Sequence, residues 1–92
     1  MFAIAFDMVV ADIRQHDPKG ISSAYSEIGQ TLAPHGFERV QGSVYLTQTA
    51  DMRNLFAAVN ALTALQWFSR RARDIRGCRV ENWSDFTPIV NG

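Results

Sequence analysis

The residue best placed to do chemistry is an aspartate that closes an otherwise apolar run, Phe2-Ala3-Ile4-Ala5-Phe6-Asp7. A carboxylate at the end of a β-strand can act as a general base or hold a divalent cation. Ser43 and Tyr45 supply a hydroxyl and a phenol two positions apart, which in a strand places both on one side. Beside a carboxylate, these groups can activate a water or a ribose 2′-hydroxyl, or orient a phosphate. Each also has a plain structural use. Asp7 can cap its strand or pair with an arginine, Ser43 and Tyr45 taken singly can be structural, and Tyr45 can pack at a subunit interface.

Eight of the nine basic residues are arginine, and Arg70, Arg71, Arg73, Arg76 and Arg79 lie within ten positions. A guanidinium forks onto phosphate and stacks on bases, so the cluster suits RNA better than lysines would. Arg39, alternating with Val40, is a further candidate for the same surface. The plainer reading is a solvated helix end, with Arg70 and Arg71 complementing the C-terminal dipole. The formal net charge is zero, so the overall balance points to no polyanion. Segregation of charge carries that signal.

The elements that must position these groups follow from periodicity. Phe2 to about Met8 reads as a strand, with bulky Phe2, Ile4, Phe6 and Met8 on one side and Ala3, Ala5 and Asp7 on the other. Asp17-Pro18 reads as an N-cap with proline at the first helical position, followed by a stripe of Ile21, Ala24, Tyr25, Ile28 and Leu32. Pro34-His35-Gly36 ends that helix. Phe37 to Gln41 and Ser43 to Thr47 are two short strands separated by Gly42, a bulge or tight hairpin. A second helix begins near Thr49 or Asp51 and runs to about Trp67-Phe68. Its expected inner face is Met52, Leu55, Phe56, Val59 and Leu62. A last strand is expected over 75–80, and the tail from Trp83 to Val90 as a further extended piece, an edge strand ending near Pro88.

The order β-α-β-β-α-β is the ferredoxin-like arrangement: an α+β fold with a four-stranded antiparallel sheet, two helices on one face and the other face bare. The whole chain, 1–92, is expected to form one such domain. Strands one and three are then central neighbours. Asp7 is expected opposite Ser43, with Val44 and Leu46 toward the helices and Asp7, Ser43, Tyr45 and Thr47 toward the bare face.

With 92 residues, 47% hydrophobic and 20% charged, the chain is of ordinary globular composition but builds a small core, which favours an oligomer. A homodimer closing the bare faces together would bring a second Asp7 into one cleft, with Ala3 and Ala5 permitting close approach. The tail could pair with the sister sheet or pack on its own domain. The lone Cys78, expected to pack in the last strand, forbids an internal disulfide and suits a reducing compartment. The opening apolar run is too short for a signal peptide or membrane span, so a cytoplasmic location is expected. His16 and His35 have no ligand spacing with each other or with Cys78, and no Gly-rich phosphate loop or GxSxG elbow is present. An RNA-recognition motif would show stacking aromatics where strand one carries Ala3, Ala5 and Asp7.

Several segments together resemble one family. They are Phe2-Ala3-Ile4-Ala5-Phe6-Asp7, Gly36 to Tyr45, Trp67-Phe68 to Arg73-Asp74-Ile75-Arg76, and Val80-Glu81-Asn82-Trp83-Ser84-Asp85-Phe86-Thr87. In this order and spacing they look like the virulence-associated protein D (VapD) family, across nearly the whole chain. The resemblance implies a toxin-like endoribonuclease with a small antitoxin partner. It also implies a fold similar to that of the small CRISPR-associated nucleases that form ferredoxin-like dimers. In those relatives the aspartate ending the first strand is the functional carboxylate, which maps onto Asp7, and the Gln-x-Ser-Val-aromatic run maps onto Gln41 to Tyr45. Arginine stands here in places where lysine is expected of relatives.

The expectation is therefore a dimeric endoribonuclease with Asp7 as general base or metal ligand. Ser43 and Tyr45 would orient the scissile phosphate or aid proton transfer, and Arg39, Arg70, Arg71, Arg73, Arg76 and Arg79 would hold RNA. The residues fix no cofactor; Mg2+ on Asp7 is the one that would suit such a site. The alternative is a non-catalytic dimeric module of the same fold that binds RNA or a protein.

Overall fold

The computed structural model describes residues 1–9 and 20–92. Its elements are β1 (Phe2–Met8), α1 (Gly20–Leu32), a 3-10 turn (Ala33–His35), β2 (Glu38–Gln41), β3 (Val44–Thr47), α2 (Met52–Thr63), α3 (Gln66–Arg71), β4 (Ala72–Arg79) and α4 (Thr87–Val90). The four strands form one antiparallel sheet in the order β2-β3-β1-β4, so the expected neighbours β1 and β3 are central. The Asp17-Pro18 cap, His16 and the side chain of Ile21 lie outside the described residues.

Alternation along β1 sorts the sheet into two faces. Phe2, Ile4, Phe6 and Met8 join Ala24, Ile28 and Leu32 of α1, Leu55, Ala58 and Leu62 of α2, and Phe68 of α3 in one core. Phe6 is its aromatic hub, stacked 5.9 Å from Tyr45 and 6.3 Å from Tyr25, with the Phe68 ring edge-on at 5.4 Å. Gly77 of β4, opposite Ile4, lets α2 approach closely: a Cβ there would sit 3.1 Å from a Leu55 methyl. Ala3, Ala5 and Asp7 point to the other face, which none of α1–α3 covers. Contrary to expectation it is bare only in part, since Ala3 and Leu46 are buried there and the tail with α4 lies against its β2 side, while Asp7 is exposed.

Local chemistry ends the elements where expected. Gly36, at φ 79°, closes the 3-10 turn, and Gly42, at φ 42°, turns the β2–β3 hairpin. Both backbone conformations disfavour a side chain. Asp51 caps α2 by accepting the Arg53 N–H at 2.9 Å.

Three expectations are corrected. The second helix breaks at Ala64–Leu65 and restarts as the short α3, and its buried stripe is Leu55, Ala58 and Leu62 with Val59 half-buried beside it, while Met52 and Phe56 are exposed. Ala58 is too small to stand out in a hydropathy pattern, yet it occupies the centre of the contact face. The last strand begins at Ala72 rather than at Ile75, because Met8 pairs with Ala72 beyond a register shift. The tail forms no strand: Asp85 accepts the Thr87 N–H at 2.9 Å and Pro88 sits in the first turn, a combination that starts a helical turn, α4. The Thr87 hydroxyl and, after it, that backbone bond hold the Asp85 carboxyl below the usual carboxylate range. Among the described residues, no helix is long and apolar enough to cross a membrane.

Candidate active site

Asp7 stands at the end of β1 on the face away from α1–α3 and is exposed. Its cross-strand neighbour on β4 is a second carboxylate, Asp74. Directly opposed residues of an antiparallel pair share a face, with Cβ atoms ~5 Å apart. One chain thus offers two acidic groups side by side. Arg76, two residues along the same face, pairs with Asp74 through Nε at 2.9 Å and offsets part of the like-charge repulsion. Arg73 has no partner on β1, because the pairing steps from Asp7–Asp74 to Met8–Ala72 around it. It is the extra residue of a β-bulge beside the acidic pair, a device that often re-aims a side chain next to a functional site.

The hydroxyl and the phenol expected beside Asp7 are elsewhere. The pairs are Ile4–Tyr45 and Phe2–Thr47, and the Phe6 N–H donates to the Ser43 carbonyl at 3.1 Å. The register differs by one residue from an Asp7–Ser43 pairing, and one residue moves every side chain of a strand to the other face. Tyr45 is therefore 1% exposed, stacked in the core under the helices. Burial pushes its phenol above the ordinary tyrosine range and outweighs the lowering by nearby Arg39. Val44 and Leu46 take the Asp7 face instead, opposite Ala5 and Ala3. Burying a large aromatic body against Phe6 is worth more than burying valine there, and that decides the register.

Ser43 lies on the helix side, half-buried, with its Oγ 2.7 Å from the Tyr25 hydroxyl of α1. Arg39 does not reach the bare face either. It pairs with Tyr45 in the ladder, its guanidinium lies 4.3 Å above the Tyr25 ring, and its Nε donates to the Gly42 carbonyl at 2.7 Å.

The arginine cluster is dispersed. Arg70 and Arg71 occupy the last turn of α3, where they complement its dipole, and the Arg71 carbonyl accepts the Val9 N–H at 3.0 Å. Arg79 pairs with Phe2 on the helix side, at the end of β4 farthest from Asp74. Only Arg73 and Arg76 stand beside the acidic pair. Cys78 is exposed opposite Ala3, not packed in a core. The signal for Asp74 was present in the sequence, since an Arg-Asp-Ile-Arg stretch places its aspartate on one face of the last strand, but only the β1–β4 register sets it against Asp7.

The far part of the Asp7 face is grooved, with mixed polar and apolar walls. Met1, Glu38, Val40, Leu46 and Trp83 line a cavity of ≈370 Å³, and Val40, Gln41 and the tail residues Trp83 to Thr87 with Val90 line another of ≈500 Å³. The tail thus lies along its own β2. Phe86, Ile89 and Val90 remain 63%, 75% and 79% exposed.

Fold and site together define a small α+β protein with a carboxylate pair on a partly uncovered antiparallel sheet. No family model matches the chain. Whole-chain relatives do. The chain is 59% identical over 90 residues to the Endoribonuclease VapD homolog of Neisseria gonorrhoeae and 52% identical over 90 residues to Endoribonuclease VapD of Haemophilus influenzae, covering 98% of each chain in both cases. It is 37% identical over 92 residues to Endoribonuclease VapD of Helicobacter pylori, again covering 98% of each. The chain belongs to the VapD endoribonuclease family.

Proposed function

We propose that this member of the family cleaves RNA at the carboxylate pair, with Asp7 as the catalytic carboxylate. The observation that carries the reading is the exposed Asp7 directly across from Asp74 on the face that none of α1–α3 covers. Asp7 takes the proton of the attacking oxygen, a ribose 2′-hydroxyl or a water. Asp74, tied to Arg76, keeps a second carboxylate beside it on the same face. Arg76 and the bulge residue Arg73 hold the phosphodiester whose bond to the leaving oxygen breaks.

The donor set fits Mg2+. Carboxylate oxygens on adjacent strands suit a hard cation that keeps several waters and takes one or two protein carboxylates. Among the described residues no cluster of three or more His, Cys, Asp or Glu side chains is available, so the phosphate itself would complete the coordination. Bound there, the ion would supply Lewis-acid stabilisation of the phosphoryl oxygens.

Ser43 stays in the proposal through its place at the hairpin end of the sheet, where its backbone sits against Phe6, next to Asp7; its hydroxyl faces the helix side and is held by Tyr25. Tyr45 does not, since its ring is sealed in the core. The second copy of the chain enters through the same face. Ala5 keeps it low beside Asp7, and the exposed Trp83 and Phe86 of the tail add apolar surface that a partner subunit would bury. The role as toxin of a pair with a small antitoxin rests on the family resemblance.

Incubating a labelled RNA with wild type and with Asp7→Asn, with magnesium and with chelator, tests the reading. Cleavage is expected to fall in the variant while binding persists. Equal cleavage by both proteins would overturn the assignment of Asp7, and binding without products by wild type would favour the non-catalytic module. Sedimentation equilibrium at micromolar concentration tests the dimer, which a monomer would exclude.

A further inference from the structure

On the helix side, at the same end of the sheet, Arg39 is held in a manner that none of the arginines of the cluster shares. Its guanidinium carbon lies 4.3 Å from the centre of the Tyr25 ring, and Nε is anchored on the Gly42 carbonyl at 2.7 Å. Tyr25 is itself fixed from both ends, by stacking on Phe6 at 6.3 Å and by the 2.7 Å contact of its hydroxyl with Ser43. A surface guanidinium normally loses rotamer freedom when it binds. Here that freedom is spent in folding, and the two terminal nitrogens of the fork are left for a ligand. The residue remains exposed and, among the described residues, forms no ion pair with a carboxylate, unlike Arg53 and Arg76.

A flat, preorganised guanidinium with its terminal edge free matches the paired oxygens of a phosphodiester. Its position matches a chain of them. Arg39 is two strands from β1, roughly 10 Å across the sheet. Ser43 lies between it and the Asp7 end of β1. A strand that starts at Arg39 and passes over the β2–β3 hairpin past Ser43 arrives at Asp7 on the opposite face.

We propose that Arg39, stacked on Tyr25, is a phosphate anchor for RNA at a nucleotide away from the cut. It holds the substrate strand as the strand turns over the hairpin end of the sheet toward Asp7. The proposal deepens the RNA-cleaving reading of the Asp7 site and rests on it. Arg39 acts in binding and takes no part in bond breaking.

The test uses the full chain carrying Asp7→Asn, which binds without cutting, and a fluorescein-labelled single-stranded RNA of mixed sequence followed by anisotropy across a salt series. Adding Arg39→Ala is expected to weaken binding ~10-fold, in keeping with one charge-assisted contact. It should also lower the slope of log affinity against log salt by ~0.7, the value for one phosphate on a single strand. Arg39→Lys keeps the slope but not the full affinity, since it keeps the charge and loses the fork. Tyr25→Leu weakens binding at unchanged slope, and Tyr25→Phe, which keeps the ring and loses only the Ser43 contact, weakens it less. In the background with Asp7 intact, Arg39→Ala is expected to raise KM and spare kcat.

Unchanged affinity and slope in Arg39→Ala would overturn the anchor, as would a fall in kcat at constant KM, which would mark a structural effect on the active end. Either result leaves the Asp7 reading standing. Cleavage by Asp7→Asn at the wild-type rate would overturn that reading instead, whatever Arg39 does.

Discussion

At the Asp7 end of the sheet the two faces carry different kinds of polar chemistry, separated by a single layer of backbone. On the open face, Asp7 and Asp74 oppose one another and Arg76 is paired to one of them, so the charges are exposed and close. On the helix face, Ser43, Tyr25 and Arg39 are locked by a hydrogen bond, a ring stack and a carbonyl contact, while Tyr45 beside them has withdrawn into the core. The first arrangement leaves groups free to exchange protons or meet a cation. The second fixes groups in place. Reactivity and rigidity are thus divided between the faces of one strand end, and alternation along β1 and β3 makes the division.

Substitutions can break or sharpen that contrast. The largest effect is expected from Asp7→Asn, which is nearly isosteric and removes the basic group. RNA cleavage should drop ~10²–10⁴-fold while circular dichroism and thermal midpoint stay close to wild type. Asp74→Asn should cost ~10–10²-fold, as for a residue that tunes or shares the reactive group, and it releases Arg76 from its pair. A loss as great as that of Asp7→Asn would make the two carboxylates one functional unit. No loss would return Asp74 to a structural partner of Arg76.

Ser43→Ala removes the hydroxyl that meets Tyr25 and is expected to lower stability by ~1 kcal/mol in urea titration. Its effect on cleavage should be smaller than that of either carboxylate, ~10-fold, corresponding to roughly 1.4 kcal/mol at the transition state. A loss on the scale of the carboxylates, with the fold intact, would show that the helix side reaches the reacting phosphate and would erase the contrast drawn here. Tyr45→Phe sits at the small end. The ring keeps its stack on Phe6, so cleavage is expected to match wild type, whereas Tyr45→Ala should destabilise the chain by ~3–5 kcal/mol. A large catalytic defect in Tyr45→Phe without a stability change is the result that would restore the phenol to the chemistry.

Local signals in the chain were enough for most of the fold. Alternation in Phe2 to Met8, the Asp51 cap, the Gly36 and Gly42 turns and the helical stripes of Ala24, Ile28, Leu32 and Leu55, Leu62 each rest on neighbours a few residues away, and the strand order follows from the order of elements. Asp7 was legible for the same reason: its side of β1 is set by the bulky residues that alternate with it. The companions of Asp7 were not. Ser43-Val44-Tyr45-Leu46 is apolar enough on both sides that either phase could face a core, and nothing local chooses between them. Asp74 lies 67 positions away and becomes a neighbour only through the β1–β4 pairing.

By itself, then, the sequence determined the elements, their order and the outward turn of one carboxylate, because those depend on interactions whose range is a turn or a strand. Tertiary structure alone decided which groups share a face with that carboxylate. Strand register is chosen by the summed packing of side chains from four strands and three helices, and Phe6 reaching Tyr45 and Tyr25 at once outweighs any preference written into β3.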